Sequence, residues 1–303
     1  MAALAEAKVG AGKVKIHHPA IIGRISFQQS FHTEFRMSSR SRICIINFLF
    51  LLGLVLPLRA QQPFYNDDAD VVLYRHWHFE TSNEYDFLPG SSFPSLHQDT
   101  QTIKFSYGAF RNCEIGMDFP VLVIFNSNAS SLGTPIGIGD TDFSVKYNLR
   151  KEKNGSRWPA ITMSLNIEPP TGNAKLQLGS GLIDYYLNSI FQKTLSPKNI
   201  LRINGGATFA GNTLTGVVGI KTRGTILTGG TSLTHQFTKK FDLGLEVYGG
   251  YTAKLALGRG SLLQQVGGNY ELQRGLTLDF GAIVGEAVGS PRYGFLLGFS
   301  KDF

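Results

Sequence analysis

From Asp142 onward the chain alternates apolar and polar residues in one segment after another, and this limits what it can fold into. Phe143, Val145, Tyr147 and Leu149 interleave with Asp142, Ser144, Lys146 and Asn148. A period of two places one set on each face of a β-strand. The pattern recurs over Ile161–Ile167, Ile183–Leu187, Leu201–Phe209, Phe241–Val247, Leu276–Val284 and Tyr293–Phe299. Fainter versions run over Val71–Phe79, Thr102–Ala109, Cys113–Phe125, Gly224–Phe237 and Leu262–Leu272. Together these predict twelve strands. Pro120 sits inside one of them and predicts a bulge or an early strand end, because proline has no N–H for the ladder.

Connection lengths separate a membrane barrel from a soluble sandwich. The joins Phe110–Asn112, Arg150–Arg157, Leu195–Asn199, Thr238–Lys240 and Gln273–Arg274 are short or turn-like. The intervening joins, including Glu80–Gln101, Asn126–Gly139, Pro169–Leu178 and Gly211–Arg223, are longer. An even number of strands with short joins on one side and long joins on the other is the layout of an outer-membrane barrel with both termini periplasmic. A soluble β-sandwich would also alternate, but its loops need not sort by length. The reading is an all-β, up-and-down antiparallel transmembrane barrel over residues 61–303.

Upstream of it lies a different kind of segment. Met37-Ser-Ser-Arg-Ser-Arg42 is a short basic stretch, Ile43–Leu56 is apolar apart from Asn47, and Pro57–Ala60 ends in a small residue. That layout is a secretory signal peptide over 37–60, with cleavage expected before Gln61. Residues 1–36 show no sustained apolar period and read as an upstream extension, with translation starting at Met37. The first 60 residues carry eight Lys or Arg and two acids, whereas the remaining 243 carry 21 basic and 20 acidic side chains. The overall charge of +7 therefore belongs to the leader, and a nucleic-acid partner loses its electrostatic footprint. Loss of Cys44 with the leader leaves Cys113 as the only thiol, so no internal disulfide can form.

Two resemblances sharpen the reading. Tyr293-Gly-Phe-Leu-Leu-Gly-Phe-Ser-Lys-Asp-Phe303 resembles the terminal strand of bacterial outer-membrane proteins, and this implies that the barrel-insertion machinery is a partner. Gly137-Ile-Gly-Asp-Thr-Asp-Phe-Ser-Val-Lys-Tyr147, Glu168-Pro-Pro-Thr-Gly172 and Gly179-Ser-Gly181 resemble segments of the transporter-like family named for the meta-cleavage pathway of phenol degradation. That resemblance spans roughly Gln98–Phe303. It implies an outer-membrane barrel for passive uptake of small organic, including aromatic, solutes, without fixing phenol as the solute.

Chemistry-bearing constellations are sparse. His76 and His78 would share a strand face, yet no spacing completes a zinc ligand set. Ser232 and His235 fall on opposite faces, and no Gly-x-Ser-x-Gly elbow or phosphate loop occurs. The expectation is no cofactor, no metal and no catalytic residue. With apolar residues facing lipid, the lumen would be lined by Asp142, Lys146, Glu168, Asp184, Tyr186, Arg202, Glu246, Tyr248, Glu271 and Asp279. Asn166, Asn188, Asn204 and Asn269 would join them, the two signs of charge pairing across the interior. Gly137, Gly139, Asp140, Pro170, Thr171 and Gly172 would shape the outer rim, with Asp140 and Asp142 capping loop amides there. An outer-membrane lipid-modifying enzyme and a structural or adhesion barrel with a plugged lumen are the alternative functions.

Overall fold

A computed structural model of the chain describes residues 63–88, 97–125, 133–211, 223–254, 260–287 and 289–303. The expected upstream extension and signal peptide fall outside the described residues. The strands are β1 (Trp77–Phe87), β2 (His97–Phe110), β3 (Cys113–Phe125), β4 (Ile136–Ile138), β5 (Asp142–Arg150), β6 (Ala160–Glu168) and β7 (Asp184–Ser196). They continue with β8 (Asn199–Ala210), β9 (Gly224–Thr238), β10 (Phe241–Tyr251), β11 (Gly260–Gln273), β12 (Leu276–Gly285) and β13 (Tyr293–Asp302). Each strand pairs antiparallel with its neighbours in chain order, and β1 closes on β13 from His78↔Asp302 to Phe87↔Tyr293. β4 and β5 both pair with β3 and occupy one place in the wall. The result is a closed barrel of twelve strand positions, and closure leaves no sheet edge unpaired.

The faces sort as the alternation requires. Phe143, Val145, Tyr147 and Leu149 are exposed on the outside of β5, while Lys146 and Asn148 between them are buried. In β10 Leu245 is 65% exposed and Glu246 3%. Outward aromatic residues gather at both ends of the strands: Phe87 stacks on Tyr293 near one mouth, and Trp77 packs on Tyr107 near the other. This is the girdle pattern of membrane barrels.

Two sequence expectations need correction. The first strand runs over Trp77–Phe87 rather than Val71–Phe79, so the expected long join Glu80–Gln101 is mostly strand β1 and the start of β2. On the outer face of β1, Thr81 and Asn83 interrupt Phe79, Tyr85 and Phe87, which flattens the amphipathic contrast. Secondly, Pro120 neither ends nor bulges β3. The bulge lies on the opposite strand position: Val121 pairs with Ile138 and Asp118 with Asp142, so two residues of β3 face three residues, Gly139, Asp140 and Thr141. Gly139 N–H donates to the Pro120 carbonyl at 2.8 Å. Because Pro120 cannot donate in return, the Gly139 carbonyl takes the Thr171 hydroxyl instead, at 3.2 Å.

Candidate functional site

Cross-strand register arranges the inward side chains in rows around the lumen. Glu80 opposes Lys104, Lys104 opposes Asp118, Asp118 opposes Asp142, and Glu168 opposes Asp184. Asp142 and Glu168 flank the pair Phe143↔Ile167 on its outer-mouth side. Four carboxylates thus stand on consecutive strand positions, with directly opposed residues about 5 Å apart at Cβ, a placement that costs stability between like charges. Their partners are mostly neutral. Asn166 Nδ2 donates to Asp142 at 3.0 Å, Tyr186 donates to Glu168, and Asp184 accepts from Gly211 N–H at 2.8 Å and from Arg223 at 3.2 Å. One oxygen each of Asp118 and Asp142 is enclosed without a hydrogen-bond partner.

Below this row the lumen is filled by the chain's own residues Pro63–Arg75. The segment has irregular backbone and places its polar groups against the wall. Lys146 Nζ lies 2.9 Å from carboxylate oxygens of both Asp67 and Asp68. Asn148 and Thr162 donate to the Ala69 carbonyl at 2.8 and 2.6 Å, and Ala69 N–H donates to Gln192 at 3.2 Å. Asn66 N–H donates to Glu246 at 2.8 Å, Val72 N–H to Glu114 at 2.8 Å, and the Tyr65 hydroxyl to Glu84 at 2.6 Å. Gln265 donates to the Pro63 carbonyl at 2.6 Å, and Gln192 to Asp70 at 3.3 Å. Ala69, fully buried, packs with Ala160 and Ile190.

The wall makes room for the segment. Inward Gly230, Gly244 and Gly267 lie where a Cβ would come within 2.7 Å of Asn66 Oδ1, 3.0 Å of Phe64 and 3.2 Å of Pro63, respectively. At the inner mouth the chain turns into β1 through Arg75, whose φ of 65° is left-handed and whose N–H donates to the Gly108 carbonyl at 2.8 Å. A cavity of about 180 Å³ remains beside the segment, lined by Phe64, Tyr65, Asn66, Asp67, Asp68, Glu80, Lys104 and Arg202.

The rim residues expected from sequence meet in one knot on the side of the long connections. Asp140, buried, accepts from Gly172 N–H through one oxygen and from Ser180 N–H through the other, both at 2.8 Å. Thr171 accepts from Thr141 N–H at 2.7 Å. A Cβ on Gly172 would stand 2.5 Å from the Leu178 carbonyl, and one on Gly137 would stand 2.8 Å from the Leu178 side chain. Leu178 in turn packs with Leu122 and Ile124. Pro170 continues from Pro169, whose carbonyl accepts from Thr171 N–H. The amide-capping expectation describes Asp140. Asp142 lies instead on the lumen wall, bonded to Asn166.

Arg202 Nε donates to Gln192 at 2.9 Å and its Nη1 to Thr234 at 3.0 Å. Asp279 accepts from Ser300 at 2.9 Å. Tyr248 stacks on Tyr65 with ring centroids 5.8 Å apart. Glu271 sits at the inner end of β11, and its N–H donates to the Lys240 carbonyl at 2.8 Å. Charge pairing across the empty interior does not occur at Lys146, whose partners belong to the inserted segment. His76 lies before β1, so it shares no strand face with His78. His78 is buried, 2.7 Å from Asp302 and 3.8 Å from Glu80.

Sequence reasoning missed Glu84, Asp86, Lys104, Glu114 and Asp118, because β1 was placed too early and β2 and β3 alternate weakly. The even-numbered run Glu80, Ser82, Glu84, Asp86 was the available signal. Pro63–Asp70 carried no signal of its own.

Comparisons with known proteins bear on this architecture. No protein-family model matches the chain, and no curated protein matches it in sequence. Among solved structures it is similar to the COG4313 outer membrane channel from Pseudomonas putida F1, with a TM-score of 0.60 at 14% identity, over 78% of this chain and 98% of the channel. It is also similar to the NanC porin, with a TM-score of 0.51 at 10% identity, over 74% of this chain and 98% of the porin. At these identities the likeness shows a shared fold. This is an outer-membrane-type β-barrel. None of these findings ties the barrel to phenol degradation.

Proposed function

We propose that the chain is a bacterial outer-membrane channel for passive uptake of small organic solutes, with its lumen closed at rest by Pro63–Arg75. The observation that carries this reading is the chemistry of the closure. The segment meets the wall through polar contacts such as Lys146 with Asp67 and Asp68 and Asn66 with Glu246, which water can replace on release. The barrel's resemblance in fold to channels agrees with it. Ser232 faces the lumen, whereas the His235 ring lies 2.8 Å from Asn199, so these two residues form no nucleophile–base pair for the lipid-modifying alternative.

On this reading 37–60 is a signal peptide, both termini are periplasmic, and Phe303 ends the strand offered to the insertion machinery. Cleavage before Gln61 would leave a free N-terminus two residues ahead of Pro63, whose carbonyl accepts from Gln265 on the lumen wall, and a segment with a free end can be released without unfolding the barrel. N-terminal sequencing of outer-membrane material should begin at Gln61. Liposome swelling with neutral and charged organic solutes tests conduction, using full-length protein beside a variant lacking residues 61–75. The variant should admit solutes faster than the full chain. If neither protein admits any, the barrel is a structural one with a permanent plug.

A further inference from the structure

We propose that the β2–β3 and β5–β6 turns together form a binding surface for the headgroups of anionic phospholipids, in the membrane leaflet on the side of the short turns. The inference goes beyond the uptake reading and holds whether or not the lumen conducts.

Charge is the first ground. Eight exposed Lys or Arg stand in the five short turns, against one acid, Glu152. That acid is already engaged, because Lys193 bonds one of its oxygens and Thr194 N–H donates to the other at 2.9 Å. Lys193 also donates to the Ser156 carbonyl at 2.6 Å, so the β5–β6 turn is pinned to β7. Four of the eight cations, Arg111, Lys151, Lys153 and Arg157, lie in the β2–β3 and β5–β6 turns, and none of them takes part in an ion pair among the described residues.

The second ground is how closely these four gather. β3 and β5 are neighbours in the wall, and Lys151 Nζ lies 3.5 Å from the Arg111 carbonyl, which joins the two turns into one basic ledge. Fixed cations without counter-charges draw anions, and phosphate is a suited partner for both Arg and Lys.

Depth separates a lipid headgroup from a soluble polyanion. Leu149 of β5 and Leu195 of β7 are exposed on the outside of the barrel, and Trp158, in the turn between β5 and β6, is 64% exposed. Arg150 pairs with lipid-facing Ile161, and its guanidinium sits over the Trp158 ring, 5.3 Å from the centroid. The Ser156 hydroxyl accepts from Trp158 N–H at 3.1 Å and so fixes the backbone there. An exposed tryptophan and leucines beside a row of cations is the layout of a membrane interface, where aromatic rings sit at headgroup depth and long basic side chains reach outward to charge. A soluble polyanion would engage the cations alone. A phospholipid engages both, its phosphate on the ledge and its acyl chains along Leu149, Trp158 and Leu195.

The chain has two tryptophans, Trp77 and Trp158, so Trp77→Phe leaves Trp158 as a reporter at the ledge. The test is quenching of its fluorescence in the full chain folded into phosphatidylcholine vesicles, with an equal share of the lipid replaced by brominated phosphatidylglycerol or by brominated phosphatidylcholine. Phosphatidylglycerol should be preferred by about fivefold or more, the factor one Lys or Arg contributes at an anionic surface. Salt at about 1 M, where charges act over only about 3 Å, should abolish the preference. Arg111→Gln, Lys151→Gln, Lys153→Gln and Arg157→Gln combined, checked for folding by heat-dependent gel migration, should remove it as well. Lys239→Gln with Lys240→Gln, in the β9–β10 turn, should leave it as in the parent. Equal quenching by the two lipids, a preference that survives salt, or the same preference in the folded four-site variant overturns the surface. If that variant does not fold, the salt series on the parent decides. Retention on heparin that depends on the four cations, with no preference between the lipids, overturns it in favour of a soluble polyanion.

Discussion

Lys146→Met tests how firmly the N-terminal segment is held. The side chain is 4% exposed and its ammonium lies 2.9 Å from both Asp67 and Asp68, which are 34% and 14% exposed. Removing one partner of a buried ion pair costs about 3–5 kcal/mol, because the remaining charge is left unpaired. The partial hydration of Asp67 places this case at the lower end, about 3 kcal/mol. Segment and wall share at least eight further hydrogen bonds, each contributing about 0.5–1.5 kcal/mol, so the segment should stay seated in most molecules. What changes is the population that has let go. At 1.4 kcal/mol per decade, 3 kcal/mol raises that population about a hundredfold. The amides of Asn66, Ala69 and Val72 report it directly, since each donates to a wall side chain and exchanges with deuterium only on release. In the parent they should be protected, and in Lys146→Met they should exchange about a hundredfold faster, while amides of β6 to β9 stay unchanged. Conductance bursts in planar bilayers should become more frequent by a similar factor. Unprotected amides in the parent, or unchanged exchange in the variant, would refute the argument that this ion pair seats the segment.

Three other perturbations probe separate parts of the molecule. Leu245→Arg near the middle of β10 should destabilise the barrel by about 2–4 kcal/mol in vesicle refolding titrations, whereas Glu246→Gln should change stability far less; equal small effects would mean that the strand faces are misassigned. Asp140→Asn leaves a single oxygen for the two amides of Gly172 and Ser180, and a loss of about 1.5–3 kcal/mol is expected in the same assay. Burial acts to raise Glu152, in the turn between β5 and β6, but hydrogen bonds from Lys193 and from Thr194 N–H outweigh it and hold the carboxyl below its usual value. Its contribution is therefore present above about pH 4.3 and fades as pH falls through the lower folded value, so Glu152→Gln should narrow the stability difference between pH 7 and pH 3.

The parts of the barrel that were legible are those where lipid and lumen impose opposite demands on neighbouring residues. In β5, β6 and β10 every outward position is apolar and nearly every inward one polar, so the period is unmistakable. β1 was misplaced because its outer face carries Thr81 and Asn83, which hydrogen-bond instead to Gln101 and Asp99 of β2. The rim knot could be seen as three glycine-rich motifs but not as one structure. Asp140 joins residues 32 and 40 positions away, and no local pattern encodes that reach. The inserted segment was invisible for a stricter reason. It has no period, and its ion pair with Lys146 spans 78 and 79 positions, so its identity lies entirely in what the wall leaves open.

Charge shows most clearly why composition was a poor guide to the lumen. The 243 residues after the leader are almost neutral, at 21 basic against 20 acidic side chains. The neutrality is an average over two places. Arg111, Lys151, Lys153, Arg157, Lys198, Lys239, Lys240 and Arg274 are all exposed in the short inner turns, where Glu152 is the only acid. Removing those eight cations from the balance leaves the barrel strands and outer connections with a clear excess of acids, many of them turned inward. Inner-turn lysines and arginines are separated from the upper lumen by the height of the wall, which exceeds the roughly 8 Å over which physiological salt lets charges act through water. They therefore cannot neutralise Asp86, Glu246 or the carboxylate row for an approaching solute. What a solute meets is set by register, strand by strand, and that register gathers Asp118, Asp142, Glu168 and Asp184 on adjacent strands in the outer half of this lumen.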